Sequence, residues 1–249
     1  MIRGHPLAIV VLAALALSAC ESSQTRSARL RAAAGKRTVE RGLQVGRPNA
    51  DVRVEAATII TDAKAGRSAA VVELRNTSTR PVAGLPLVFN VTGADGKKLF
   101  SNNLPGASPD LTTVPSLAPG DTLAWVNNAI IGIHGAKAVT AVVGTPAKAA
   151  AAGSTPPQLR VSGVHLETDP VDGVTAVGRV VNPSQIPQER LVIFATARRG
   201  SKIVAAGRSV IPVVKPGAKG APFTMFFVGN PTGAKLTVQA PAVTLAAKP

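Results

Sequence analysis

The chain has 249 residues and a formal net charge of +15, with 23 Gly, 20 Pro, six Phe, one Trp, one Cys and no Tyr. That much Gly and Pro excludes a helical bundle and calls for many turns, while the scarcity of aromatics leaves a core of small and branched side chains, which favours strands. One cysteine excludes an intrachain disulfide, so every domain must hold by packing alone.

Residues 1–19 divide into the parts of an export signal: Arg3 supplies a positive charge, Leu7 to Leu17 is unbroken apolar sequence, and small residues follow. The apolar run is about 11 residues against the ~20 needed to cross a bilayer as a helix, so a retained transmembrane anchor is the weaker reading. It ends in Leu17-Ser18-Ala19-Cys20. Only cysteine offers a thiol that alkylates to a stable thioether, and Ser18 and Ala19 are small enough to lie extended in a peptidase groove. The tetrad resembles the lipobox of bacterial lipoproteins, which implies diacylglyceryl transfer to Cys20, cleavage before it, and a mature protein held by acyl chains. Two such chains anchor stably where one binds marginally. Glu21 follows the cysteine where that family carries an inner-membrane-retaining aspartate, which implies the outer membrane if the host has one.

Residues 20–50 read as a disordered basic tether. Arg26, Arg29, Arg31, Lys36, Arg37, Arg41 and Arg47 face only Glu21 and Glu40. Beside a lipid anchor such charges are drawn to anionic headgroups at about 1 kcal/mol each. A plain linker kept extended by its charge fits the same composition.

Beyond the tether the sequence repeats itself. Ala70-Val71-Val72-Glu73-Leu74-Arg75-Asn76 runs into Thr77-Ser78, and Ala176-Val177-Gly178-Arg179-Val180-Val181-Asn182 runs into Pro183-Ser184. Leu87 to Val91 leads through Asp95-Gly96-Lys97-Lys98 to Leu99, as Leu191 to Ala195 leads through Arg199-Gly200-Ser201-Lys202 to Ile203. Both predict hairpins. Pro119-Gly120 then precedes Leu123-Ala124-Trp125-Val126, and Pro216-Gly217 precedes Phe223 to Phe227. From Asn76 to Pro119 is 43 positions and from Asn182 to Pro216 is 34, which gives the first copy a nine-residue insertion, placed at Gly106 to Asp110 as an exposed loop.

The fold expected is all-β: two tandem immunoglobulin-like β-sandwich domains, 51–144 and 158–246, joined by an Ala/Pro/Gly linker at 145–157. The inward set predicted for the first is Val52, Val54, Val72, Leu74, Leu87, Phe89, Val91, Leu123, Trp125, Val139 and Val143. For the second it is Leu159, Val161, Val174, Val180, Leu191, Ile193, Phe223, Met225, Leu236 and Val238, with a bulge at Gly163. The succession of Asn turn, apolar strand, Gly turn and Pro-Gly before a bulky strand resembles the FxLYD family of exported Ig-like domains. That resemblance implies binding or spacing rather than catalysis and carries over no functional residue.

The motifs of catalysis are missing. His134 and His165 have no second ligand at metal-site spacing, Asp169-Pro170-Val171-Asp172-Gly173 lacks the further oxygens of a calcium loop, and neither a phosphate loop nor a nucleophile elbow is present. No cofactor, metal site or catalytic residue is expected, and a hydrolase with an unrecognised site is the least favoured alternative. The sequence therefore reads as a non-enzymatic, membrane-anchored envelope lipoprotein that binds or positions a protein or other envelope component. A structural spacer is one alternative. Adhesion to anionic polymer or lipid through the basic second repeat is another, with Arg26, Arg29, Arg31, Lys36, Arg37, Arg198, Arg199 and Lys202 as candidate contacts. Nucleic acid is not an expected partner, since no aromatic platform lies among the basic residues.

Overall fold

Alternating apolar and polar positions and Gly-bearing turns become long antiparallel strands in the computed structural model, which describes residues 42–146, 153–169 and 173–246. The described residues all belong to one compact unit, residues 41–249. The signal, Cys20 and the candidate contacts Arg26, Arg29, Arg31, Lys36 and Arg37 lie outside the described residues, as do residues 147–152 of the expected linker.

In the first repeat, β1 (Val52–Asp62), β2 (Arg67–Asn76) and β6 (Thr122–Ile131) form a three-stranded sheet in the order β1-β2-β6. Facing it, β3 (Val82–Gly93) pairs with β4 (Lys98–Ser101), β5 (Thr113–Leu117) and β7 (Ala136–Val143). In the second repeat, β8 (Arg160–Asp169), β9 (Gly173–Asn182), β10 (Gln188–Arg199), β11 (Lys202–Val214), β12 (Gly217–Gly229) and β13 (Lys235–Gln239) make one sheet in the order β13-β10-β11-β12-β9-β8. Among the described residues there is no α-helix, only a single 3₁₀ turn at Pro109–Leu111.

The two repeats share one pairing scheme. First strand pairs with second (β1–β2, β8–β9), second with the strand after the Pro-Gly turn (β2–β6, β9–β12), and third with last (β3–β7, β10–β13). They differ in the middle. Where β3 meets two short strands, β10 meets the single 13-residue β11, which also reaches β12 at Ala205 to Gly207. The break between β4 and β5 holds Gly106 to Asp110, where the insertion was expected. The insertion therefore splits a strand, and without it the second repeat closes into one continuous sheet.

Every strand of that sheet contributes to one core. Leu166, Ala176, Val180, Leu191, Ile193, Ile211, Phe223, Met225 and Val238 all pack together. A sheet can bury one face on itself only by curling, and this one forms a nearly closed barrel. Its other face is covered as well. Val192 and Phe194 of β10, Ile203 and Ala206 of β11 and Val228 of β12 belong to the core of the first repeat, beside Phe89, Leu74 and Trp125. Strand β10 is thus buried on both faces from Leu191 to Ala197, which is why it is continuously apolar from Leu191 to Ala195 rather than alternating.

All eleven inward residues predicted in the first repeat are buried or, for Val54, partly buried against that core. In the second, Val180, Leu191, Ile193, Phe223 and Met225 are buried, Leu159, Val161, Leu236 and Val238 pack against them half-buried, and Val174 is half-buried outside that core. The β8–β9 register slips between Ser162 and His165, where Gly163 has φ +63°, as the bulge requires.

Candidate interaction surface

The Asn turns and the Pro-Gly turns are joined by one side chain in each repeat. Asn76, fully buried, donates from Nδ2 to the carbonyls of Arg80 at 2.8 Å, Leu117 at 3.1 Å and Ala118 at 3.1 Å, and its Oδ1 accepts from the Ser78 N–H and hydroxyl. Asn182, equally buried, donates to Ile186 and Val214 and accepts from the Ser184 N–H and hydroxyl. Each amide ties the end of the second strand to the strand before the Pro-Gly turn. Buried backbone carbonyls at both turns are satisfied in this way.

A seam joins the repeats. Its apolar middle holds Trp125, whose ring meets Phe89 edge-on at 5.8 Å and Phe194 of the second repeat at 6.4 Å, and whose Nε1 donates to Thr113 O at 3.0 Å. Gln239 acts as a piece of strand: its Oε1 accepts from Ala124 N at 3.0 Å and its Nε2 donates to Thr122 O at 2.9 Å, which covers part of the open edge of β6. Ser116 donates to Ala242 O at 2.6 Å, and buried Gln188 accepts from Val243 N and Thr244 N. Two charge pairs cross the seam, Glu73 with Arg198 and Asp110 with Arg190.

Of the candidate contacts that the structure describes, Arg198 is held at the seam by Glu73 and by the Ser201 carbonyl, Arg199 donates to Thr232 O at 2.7 Å, and Lys202 lies exposed at the start of β11. These three occupy one hairpin end. Arg179 also folds onto its own sheet, donating to the Lys219 and Gly220 carbonyls.

His134 and His165 are exposed. The Gly163 carbonyl at 3.0 Å from Nδ1, and with it Glu167 at 3.2 Å from Nε2, hold the His165 imidazole above its ordinary range, because two acceptors are best served by the doubly protonated ring. The Lys97 N–H, and then its side chain, hold the Asp95 carboxyl below its ordinary range in the β3–β4 turn. Among the described residues no three His, Cys, Asp or Glu side chains gather as a metal could require, and no helix is long and apolar enough to cross a membrane.

A cleft of about 650 Å³ lies at the Pro-Gly end, between Thr79, Pro119 and Asp121 on one wall and Pro156, Gln239 and Pro241 on the other. A second of about 470 Å³ is lined by Asp62, Arg67, Phe226 and Asn230.

The seam is what sequence reasoning missed. The signal for it is the unbroken apolar run from Leu191 to Ala195, too apolar for a strand with one solvated face.

No family model and no curated protein matches the chain. Among solved structures it is similar to the crystal structure of red sea bream transglutaminase, at 13% sequence identity and a TM-score of 0.22, over 89% of this chain and 32% of that one.

Proposed function

We propose that the protein is a non-catalytic lipoprotein of the cell envelope, anchored through Cys20, whose paired β-repeats bind or position a protein or another envelope component. The observation that carries this reading is the seam. Repeats that share a core and cross-link through Gln239, Ser116 and paired charges form one stiff body, suited to holding a partner at a fixed geometry beyond a tether. The finer reading of each repeat as an immunoglobulin-like, FxLYD-like sandwich is supported by the shared pairing scheme, in which first, second and sixth strands of the first repeat form one sheet and third and last belong to the other.

The alternative is adhesion to anionic polymer or lipid. Exposed Arg199 and Lys202 at one hairpin end favour it. Pull-down from detergent-solubilised envelope with the intact protein separates the two: a stoichiometric protein partner retained at high salt supports the first, and salt-labile retention of polymer alone supports the second. The anchor has its own test. Cys20→Ala should abolish acyl labelling and leave the signal unprocessed, and labelling at the wild-type level would end the lipoprotein reading.

A further inference from the structure

Three observations meet where the insertion loop of the first repeat touches the second. Arg190 has φ +48° and is the one non-glycine residue at positive φ among the described residues; strain of that kind persists where surroundings hold it, and it concentrates at ligand sites. Its side chain crosses the seam to Asp110 while remaining 65% exposed, whereas Asp110 is 13% exposed. Opposite Phe194 in the β10–β11 register, Arg208 has Nε and Nη2 shut off from solvent with no hydrogen-bond acceptor. Burial lowers its pKa, with Asp110 opposing that effect and Arg190 adding to it.

Asp110 thus pairs with Arg190 alone, and its charge acts on the second guanidinium, Arg208, without bonding to it. Guanidinium does not release its proton in a protein, and a buried charged donor left unmatched is costly. The loop that supplies Asp110 is fixed in place, because Asn102 donates to the Leu111 carbonyl at 3.0 Å and to Leu87 O at 2.9 Å. The second repeat has no counterpart of this loop, so the cluster occurs once.

We propose that the Arg190–Asp110–Arg208 cluster is a binding site for a phosphate-class oxyanion. The anion takes the fork of Arg190 on the open side, where two parallel N–H donors match its oxygens, and Asp110, released, turns onto the unmatched Nε and Nη2 of Arg208. The exchange brings a second negative group to two cations and fills the empty donors. It stands apart from the envelope reading and does not depend on the lipid anchor.

The test is thermal unfolding of the full chain in sodium phosphate against sodium chloride at matched ionic strength. Wild type should show a saturable rise in midpoint of about 2–5 °C, the size expected from tens of Kd of ligand on a domain of this length. Arg208→Met should unfold no lower than wild type in chloride, because it removes an unmatched charge, and should lose the phosphate response, because Asp110 then stays on Arg190. Arg190→Gln, a surface change, should lose the response too. Glycerol phosphate acting like inorganic phosphate would show that the site takes a phosphate carried on a larger molecule, and a response to inorganic phosphate alone would assign it to the free ion. Equal rises in all three proteins would mean general salting-out and overturn the site, as would a wild type that does not respond.

Discussion

Asn76 and Asn182 are polar residues at full burial, and each is satisfied because its turn supplies acceptors on one side and a Ser donor on the other. Asn76→Ala strands the carbonyls of Arg80, Leu117 and Ala118 at once, so it should cost about 2–4 kcal/mol, more than one neutral hydrogen bond contributes. Denaturant unfolding measures this, and a loss below 1 kcal/mol would mean that water replaces the amide. His165 gives a prediction in pH. With its pKa raised by Gly163 and Glu167, its contribution to stability is full below the unfolded value of about 6.5 and fades as pH rises through the folded value. Its NMR titration midpoint should lie above about 6.5 and fall toward it in Glu167→Gln. An unchanged midpoint in the variant would leave the Gly163 carbonyl as the whole cause. None of these side-chain partners was legible in the sequence. The Asn turns were, because a strand that halts in an Asn turn is a local signal, whereas two of the three carbonyls that Asn76 reaches lie 41 and 42 residues away.

At the scale of the strand, what could be read was periodicity and punctuation. Two-residue alternation located the inward faces of β2, β3 and β6, and Asp95-Gly96 and Gly200-Ser201 located the hairpins, where Gly96 and Gly200 adopt φ +75° and +58°. The second face of β10 was not legible, since a run buried on both sides has no alternation from which to assign either side. Close approach between strands was hidden as well. At Gly207 a β-carbon would stand 2.5 Å from the Phe226 carbonyl oxygen and 3.0 Å from Met225 Cγ, and backbone cannot yield as a side-chain end can. Gly207→Ala should therefore part β11 from β12 and cost about 1–3 kcal/mol, the range for overpacking, despite the better strand propensity of alanine. Amide hydrogen exchange at Ala205 to Gly207 and Phe227 to Gly229 should accelerate in the variant. Unchanged protection there would show that the sheet shifts without opening.

For the whole of the described body, the sequence suggests two domains joined by a linker, with Trp125 among the inward residues of the first. The Trp125 indole instead lies between Phe89 of its own repeat and Phe194 of the other, with its Nε1 bonded to Thr113 O. Removing it empties a space that both repeats help to enclose. Trp125→Ala should cost about 3–5 kcal/mol, the loss for a large aromatic truncated in a packed core, against a total of about 5–15 kcal/mol for a domain. Because Val192, Phe194, Ile203, Ala206 and Val228 draw part of their burial from the first repeat, loosening that core also exposes the outer face of β10 to β12. Calorimetry should then show one transition for residues 41–249, moved down by several degrees in the variant with no shoulder at the wild-type midpoint. A second transition that keeps the wild-type midpoint would mean that the barrel of the second repeat stands on its own core of Leu191, Ile193, Phe223 and Met225, and that the seam aligns the repeats without supporting them.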